Sequence, residues 1–155
     1  MTHAVVALGA NLGDRDAVMH AALAALDMVP GTTVAAVSSF RETVALTASG
    51  PDDSKPAYLN AVATLDTELS AHALLAHLHE IEAEHGRVRI ERWGDRTLDL
   101  DLIVWGDLIE DGNLVVPHPR AHERDFVLEP WFEIEPDAVL PGHGPIRDLV
   151  REVGP

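Results

Sequence analysis

Apolar positions along the chain follow two different periods. His3–Leu8 (HAVVAL) is a short apolar run ending at Gly9 and predicts an opening strand. After the turn GANLGD, Met19, Ala22, Leu23 and Leu26 recur at i, i+3, i+4 and i+7, the stripe of an amphipathic helix that Pro30-Gly31 stops. Thr33–Phe40 is β-branched and small and predicts a second strand. In Tyr58–Asp66, Leu59, Ala61, Ala63 and Leu65 alternate with Asn60, Val62, Thr64 and Asp66, the pattern of a strand with one buried face. Ser70 is placed to cap a second helix with Leu74, Leu78 and Ile81 on one side, and Gly86 suits its C-terminal end. Leu98–Val104 alternates again. Leu98, Leu100, Leu102 and Val104 take one face, and Asp99, Asp101 and Ile103 the other.

The resulting order, βαββαβ, predicts an α+β fold with a ferredoxin-like core. Two helices would cover one face of an antiparallel sheet and leave the other free to carry a site. Beyond the core, Asp111-Gly112 between Leu108-Ile109 and Leu114-Val115 predicts a C-terminal hairpin, with short helices near 120–131 and 144–152. Residues 47–57 (TASGPDDSKPA) lack periodicity and predict a mobile loop. With no internal repeat or linker, 1–155 reads as a single domain.

Composition narrows the class. There is no cysteine, which excludes disulfides and thiolate metal sites. No apolar run approaches the length of a membrane span, and a cytoplasmic protein is expected. The net charge of −15, from 26 acids against 11 Lys+Arg, argues against nucleic-acid or membrane binding. Yet Arg87, Arg89, Arg92 and Arg96 crowd into ten residues, with Arg120 and Arg124 further on. Arginine grips phosphate in a bidentate fashion, so this patch suggests a compact anion. The plainer alternative is a solvated cationic loop.

Asp99 and Asp101, two apart on a strand, stand roughly 7 Å apart at Cα and aim at one region. Buried together without a cation they would repel. A hard, oxygen-seeking cation such as Mg²⁺ removes that repulsion. The alternative is that both acids face solvent or pair with Arg96. Neighbouring arginines favour phosphoryl transfer, where a protein mainly positions groups and neutralises charge. No P-loop string is present, and GANLGD reads as a structural turn. His118 and His122 are four apart, but His118 lies between Pro117 and Pro119, so a phosphate hydrogen bond is preferred to a helical zinc pair. Tyr58, Trp93 and Phe126 flank polar segments. Singly each reads as core; together they are able to stack on a flat heterocycle.

RVRIERWGDRTLDLDLIVWG followed by LVVPHPRAHERDFVLEP resembles the 6-hydroxymethyl-7,8-dihydropterin pyrophosphokinase family of folate biosynthesis. VVALGANLGDR, SSFRET and YLNAVATL match that family in the same order. The resemblance implies a ferredoxin-like core, ATP as co-substrate, two Mg²⁺ ions, pyrophosphate transfer to the pterin hydroxymethyl oxygen and release of AMP. It implies that Asp99 and Asp101 hold the metals and that Arg87 and Arg96 stabilise charge on the transferred group. Glu82, Arg89, His118 and Arg124 would lie at ATP. Thr43, Leu46, Tyr58, Asn60, Trp93 and Phe126 would receive the pterin. A monomer is expected.

Three positions depart from the family pattern: Asp95 before Arg96, Val44-Ala45 in the second loop, and Ala10. Two other readings stand beside the enzyme: a ferredoxin-like small-molecule-binding module, and a degenerate pyrophosphokinase that binds pterin or ATP without turnover.

Overall fold

The computed structural model describes residues 1–10, 14–43, 46–47, 50–51, 58–85 and 98–153. The chain runs β1 (Thr2–Ala10), α1 (Arg15–Asp27), β2 (Thr32–Val37), β3 (Arg41–Thr43), β4 (Leu46–Thr47), β5 (Gly50–Pro51), β6 (Tyr58–Thr67), α2 (Ala71–His85) and β7 (Asp99–Trp105). It continues through β8 (Glu110–Asp111), β9 (Val115–Val116), a 3-10 turn (Ala121–Glu123), α3 (Asp125–Ile134), β10 (Val139–Leu140), β11 (Gly144–Pro145) and α4 (Ile146–Val153).

The main sheet has the order β2-β6-β1-β7, with β3 also pairing β6, and every adjacent pair is antiparallel. This is the ferredoxin-like arrangement. Helices α1 and α2 each join strands two places apart, and β1 and β6 fill the centre. Alternate residues of β1 (Ala4, Val6, Leu8), β6 (Ala61, Ala63, Leu65) and β7 (Leu100, Leu102) meet Met19 and Leu26 of α1 and Leu74, Leu78 and Ile81 of α2 in the larger core. Asp14 caps α1 by accepting the Ala17 N–H at 3.1 Å, and Ser70 caps α2 through the Ala73 N–H at 3.1 Å. Gly86, the expected C-terminal cap, lies outside the described residues.

The structure corrects several expectations. The second sheet face is not free. Val127, Leu128 and Trp131 of α3, with Leu140, Ile146 and Leu149, cover Val5, Val62 and Ile103 there. For that reason β6 is buried on both faces, Val62 and Thr64 included, rather than on one. The strand expected over 33–40 divides instead. β2 ends at Val37, Ser38 spans the break by donating its N–H to the Val62 carbonyl and accepting the Val62 N–H, and pairing resumes at Arg41. Val104 falls on the α3 side with Ile103 and not with Leu102, because the β1–β7 register shifts between Val5 and Val6.

Within the expected loop 47–57, Leu46–Thr47 pairs with Gly50–Pro51. The C-terminal hairpin pairs Glu110–Asp111 with Val115–Val116, one or two residues beyond its expected place. The helix expected from 120 starts at Asp125, because extended Arg124 (φ −106°, ψ 108°) separates it from the 3-10 turn. Among the described residues no helix is long and apolar enough to cross a membrane.

A candidate active site at the uncovered end of the sheet

Helix α3 covers only half of its sheet face. Towards the C-terminal end of β1 that face continues past Val5, Val62 and Ile103 to Ala7, Gly9, Asn60, Tyr58, Asp101 and Asp99. These residues line a cavity of about 440 Å³ with Thr43, Arg120, Glu123, Arg124, Asp125 and Phe126. Strand register builds its floor. Gly9 pairs with Asn60 on one side and Asp99 on the other, and Ala7 pairs with Asp101. The amide, the glycine and the acid therefore form one row across three strands. A Cβ on Gly9 would lie 3.2 Å from Asn60 Oδ1, a tight approach, and 3.6 Å from Tyr58 Cδ2, so a side chain here would crowd the Asn60 amide.

One wall is apolar and amide-bearing. Tyr58 stands opposite Thr43 on β3, and Asn60 Nδ2 donates to Thr43 Oγ1 at 2.6 Å. Asn60 is buried, so this bond settles one end of its amide and fixes its orientation. Phe126, in the first turn of α3, closes the cavity from the other side. The Arg124 guanidinium carbon lies 5.5 Å from the centre of its ring. Arg124 also faces Asp101, with Nη1 4.0 Å from Oδ2.

Asp101 is shared with a second cavity of about 190 Å³, lined by Leu75, Glu82, Leu100, Leu102, Leu114 and His118 among others. Glu82 Oε2 accepts the Leu100 N–H at 2.7 Å, so helix α2 holds the strand segment between the two acids. His118 follows the cis Val116-Pro117 bond and donates its own N–H to the Ile103 carbonyl at 2.9 Å. Burial pushes its imidazole below the usual value. The Asp101 carboxylate opposes that, and the Arg124 and Arg120 guanidiniums add to it. Nδ1 accepts the Arg120 N–H at 3.2 Å, which leaves Nε2 as the donor of the neutral ring.

The donor set fits a hard divalent cation held jointly with a ligand. Asp99 and Asp101 share one strand face in the larger cavity, with Glu123 and Asp125 elsewhere on its lining, and among the described residues no cluster of three or more His, Cys, Asp or Glu is able to cage a metal. Mg²⁺ is commonly bound by one or two carboxylates, with water and substrate phosphates completing its shell.

Of the residues singled out from sequence, Thr43, Tyr58, Asn60, Asp99, Asp101, Arg124 and Phe126 converge on the larger cavity, and Glu82 and His118 on the smaller. Arg87, Arg89, Trp93 and Arg96, like Asp95, lie outside the described residues, and Leu46 is placed only through its backbone pairing with Pro51. Sequence reading passed over Gly9, Glu123 and Asp125, and counted Arg120 only as part of a cationic patch. For Gly9 the signal was the apolar run ending at glycine; for Arg120 it was the P-H-P-R string.

An acid pair, basic side chains and an aromatic slot at one end of a ferredoxin-like sheet are the parts that phosphoryl transfer to a flat acceptor requires. Residues 5–136 match the family model described as 7,8-dihydro-6-hydroxymethylpterin-pyrophosphokinase (HPPK). The chain belongs to this family and is a diphosphotransferase. It is 45% identical over 153 residues to the 2-amino-4-hydroxy-6-hydroxymethyldihydropteridine pyrophosphokinase of Haemophilus influenzae, covering 98% of this chain and 93% of that one. It is 43% identical to the enzyme of the same name from Synechocystis, covering 97% of this chain and 75% of the relative.

Among solved structures, an HPPK-DHPS in complex with substrates superposes with a TM-score of 0.75 at 11% identity. That match covers 97% of this chain but 43% of the longer protein. Wild-type HPPK-DHPS of Plasmodium falciparum gives 0.72 at 14% identity, covering 97% of this chain and 44% of that one. These two likenesses bear on the fold alone.

Proposed function

We propose that this enzyme carries out Mg²⁺-dependent transfer of pyrophosphate from ATP to the hydroxymethyl group of 6-hydroxymethyl-7,8-dihydropterin, releasing AMP, in folate biosynthesis. The observation that carries the reading is Asp101. Its carboxylate lines both an aromatic, amide-bearing cavity and a smaller one of mixed leucine, histidine and carboxylate lining, so a donor and an acceptor would meet at the acid pair.

Tyr58 and Phe126 sandwich the flat pterin in this reading. Asn60, its amide nitrogen already given to Thr43, offers a carbonyl oxygen to the pterin's N–H edge. The smaller cavity, lined by Leu75, Leu102 and Leu114, takes the nucleoside, and Glu82 lies at its edge. Asp99 and Asp101 would hold the metal, two ions being expected, against the triphosphate. When bound, Mg²⁺ supplies charge neutralisation and a template for the phosphates. His118 donates from Nε2 to a phosphate oxygen, and Arg124 balances charge beside Asp101. Arg87, Arg89 and Arg96 add further positive charge, with Arg87 and Arg96 meeting the transferred group, and Trp93 and Leu46 complete the pterin side.

The hydroxymethyl oxygen bonds to the β-phosphorus in line with the departing oxygen. The bond between that phosphorus and the α–β bridging oxygen breaks, AMP leaves with the bridging oxygen, and the hydroxyl proton passes to water. Such a transfer relies on alignment and electrostatics more than on a strong base. The reading takes the chain as a single domain acting as a monomer.

The test is AMP formation by the purified protein with ATP, Mg²⁺ and the pterin. Release that needs both the pterin and the metal supports the reading. Binding of both substrates without AMP would point to a degenerate enzyme instead.

A further inference from the structure

We infer that Glu133, acting with Ser39 and Arg41, is a positioning residue that sets the gap between Tyr58 and Phe126 without touching the substrate. The inference rests on the pterin reading of the larger cavity and deepens it.

Two stripes of side chains face each other. On the segment leading through β3, Ser39, Arg41 and Thr43 alternate towards α3 and the cavity. Phe40 and Glu42 turn the other way, to His20 (ring centres 5.2 Å apart) and Arg15 of α1. On α3, Phe126, Glu129 and Glu133 follow at intervals of three and four, which places them on one helix face. The stripes are tied together at one end. Glu133 accepts the Ser39 N–H at 2.9 Å, the Ser39 hydroxyl at 2.8 Å and Arg41 Nη2 at 2.8 Å, while Glu129 accepts Arg41 Nη1 at 3.3 Å. About two helical turns away, roughly 10 Å along the axis, the same stripes separate to hold Thr43 and Phe126 on opposite sides of the cavity. The tied end is thus the root of the slot.

The wall's other ties, Ser38–Val62, Asn60–Thr43 and Glu42–Arg15, run to β6 and α1 and not to α3. The ladder is broken at Ser38–Phe40, and β3 makes only three rungs with β6. Of the segment 38–43, only Phe40 packs on the larger core. Three donors on one partly exposed carboxylate are more than a solubilising surface acid requires. They hold the Glu133 carboxyl below the ordinary carboxylate range, the Ser39 backbone N–H contributing most. An ordinary surface ion pair would affect thermal stability alone. A device that shapes the slot must affect pterin and ATP differently.

The experiment compares the full chain with Glu133→Ala, Glu133→Gln and Arg41→Met. Dissociation constants are measured for 6-hydroxymethyl-7,8-dihydropterin and for Mg-ATP, together with thermal midpoints. The expected result is pterin binding weakened about three- to tenfold in Glu133→Ala, the size of effect that loss of an exposed charge network allows. Glu133→Gln, which keeps acceptor and donor capacity towards Ser39, should lose less, and ATP binding should stay within about twofold throughout. High salt should weaken wild-type pterin binding towards that of Arg41→Met and leave Arg41→Met itself little changed. Should Glu133→Ala fail to fold, Glu133→Gln and Arg41→Met carry the same comparison.

Unchanged pterin binding in the folded variants would overturn the inference. So would equal loss of pterin and ATP affinity in step with the thermal midpoint. A wild-type protein that binds ATP but no pterin would overturn the functional reading first, a result distinguishable because no variant is needed to see it.

Discussion

Asn60 donates its side-chain amide to the Thr43 hydroxyl at 2.6 Å, and this bond adds a side-chain tie to the three-rung ladder between a central strand of the sheet and the short strand at its edge. The partner end of the amide, Oδ1, lies over Gly9, where a Cβ would come within 3.2 Å of it. Asn60 is buried, so a reorientation would leave a polar group without its partner, a penalty of about 1–3 kcal/mol.

Gly9→Ala should therefore fold but bind pterin poorly. The backbone there is extended and accepts alanine, while the added methyl crowds the Asn60 amide and rests in ordinary contact with Tyr58. A displaced Asn60 amide would leave a buried hydrogen bond to the pterin unmade, about 1–3 kcal/mol, which corresponds to a loss of pterin affinity of roughly five- to a hundredfold. Titration with pterin and with Mg-ATP checks it; ATP should be affected far less. Unaltered pterin binding would remove Gly9 from the cavity floor.

Replacing either acid should abolish most turnover. Asp99→Ala and Asp101→Ala each remove a carboxylate from the cavity shared with the phosphates, and losses of about two to three orders of magnitude in AMP release are expected. The fold should survive. The Asp101–Arg124 contact is long, at 4.0 Å, and half exposed, so its loss should change stability by no more than about 1 kcal/mol. Full activity of both variants at limiting Mg²⁺ would contradict the assignment.

Tyr58→Leu and Phe126→Leu separate the two substrates. Each should raise the pterin dissociation constant about tenfold, the worth of one good aromatic contact, and leave ATP binding within about twofold. Equal loss of both ligands would mean that the aromatics serve packing instead.

The pH dependence of stability follows from Glu133. Its carboxyl is depressed in the folded chain, so its contribution is complete above the ordinary carboxylate value and is lost as pH falls through the folded one. The difference in thermal midpoint between wild type and Glu133→Gln should be largest near neutrality and shrink below the ordinary carboxylate range. The side chain is about one-third exposed (34%), so solvent screening keeps the effect modest. A difference independent of pH would show that ionisation of Glu133 is immaterial.

By itself the sequence determined the βαββαβ order, because each helix and strand carries its own period and its own stop: Pro30-Gly31 after α1, Ser70 before α2, alternation through β6 and β7. It also marked the pair Asp99 and Asp101, since acids at alternate positions of an otherwise apolar strand must share a face. What it could not determine was where that face is covered. The α3 stripe of Val127, Leu128 and Trp131 reads as amphipathic from any direction, and only packing assigns it to Val5, Val62 and Ile103. That placement leaves the cavity at one end of the sheet. The register shift in β7 that sends Val104 to the α3 side is equally invisible locally, because pairing between distant strands decides it. Gly9 and Glu133 gained their meaning the same way. A glycine closing an apolar run and an acid on a helix are ordinary until Asn60 and Ser39, far off in the chain, arrive beside them.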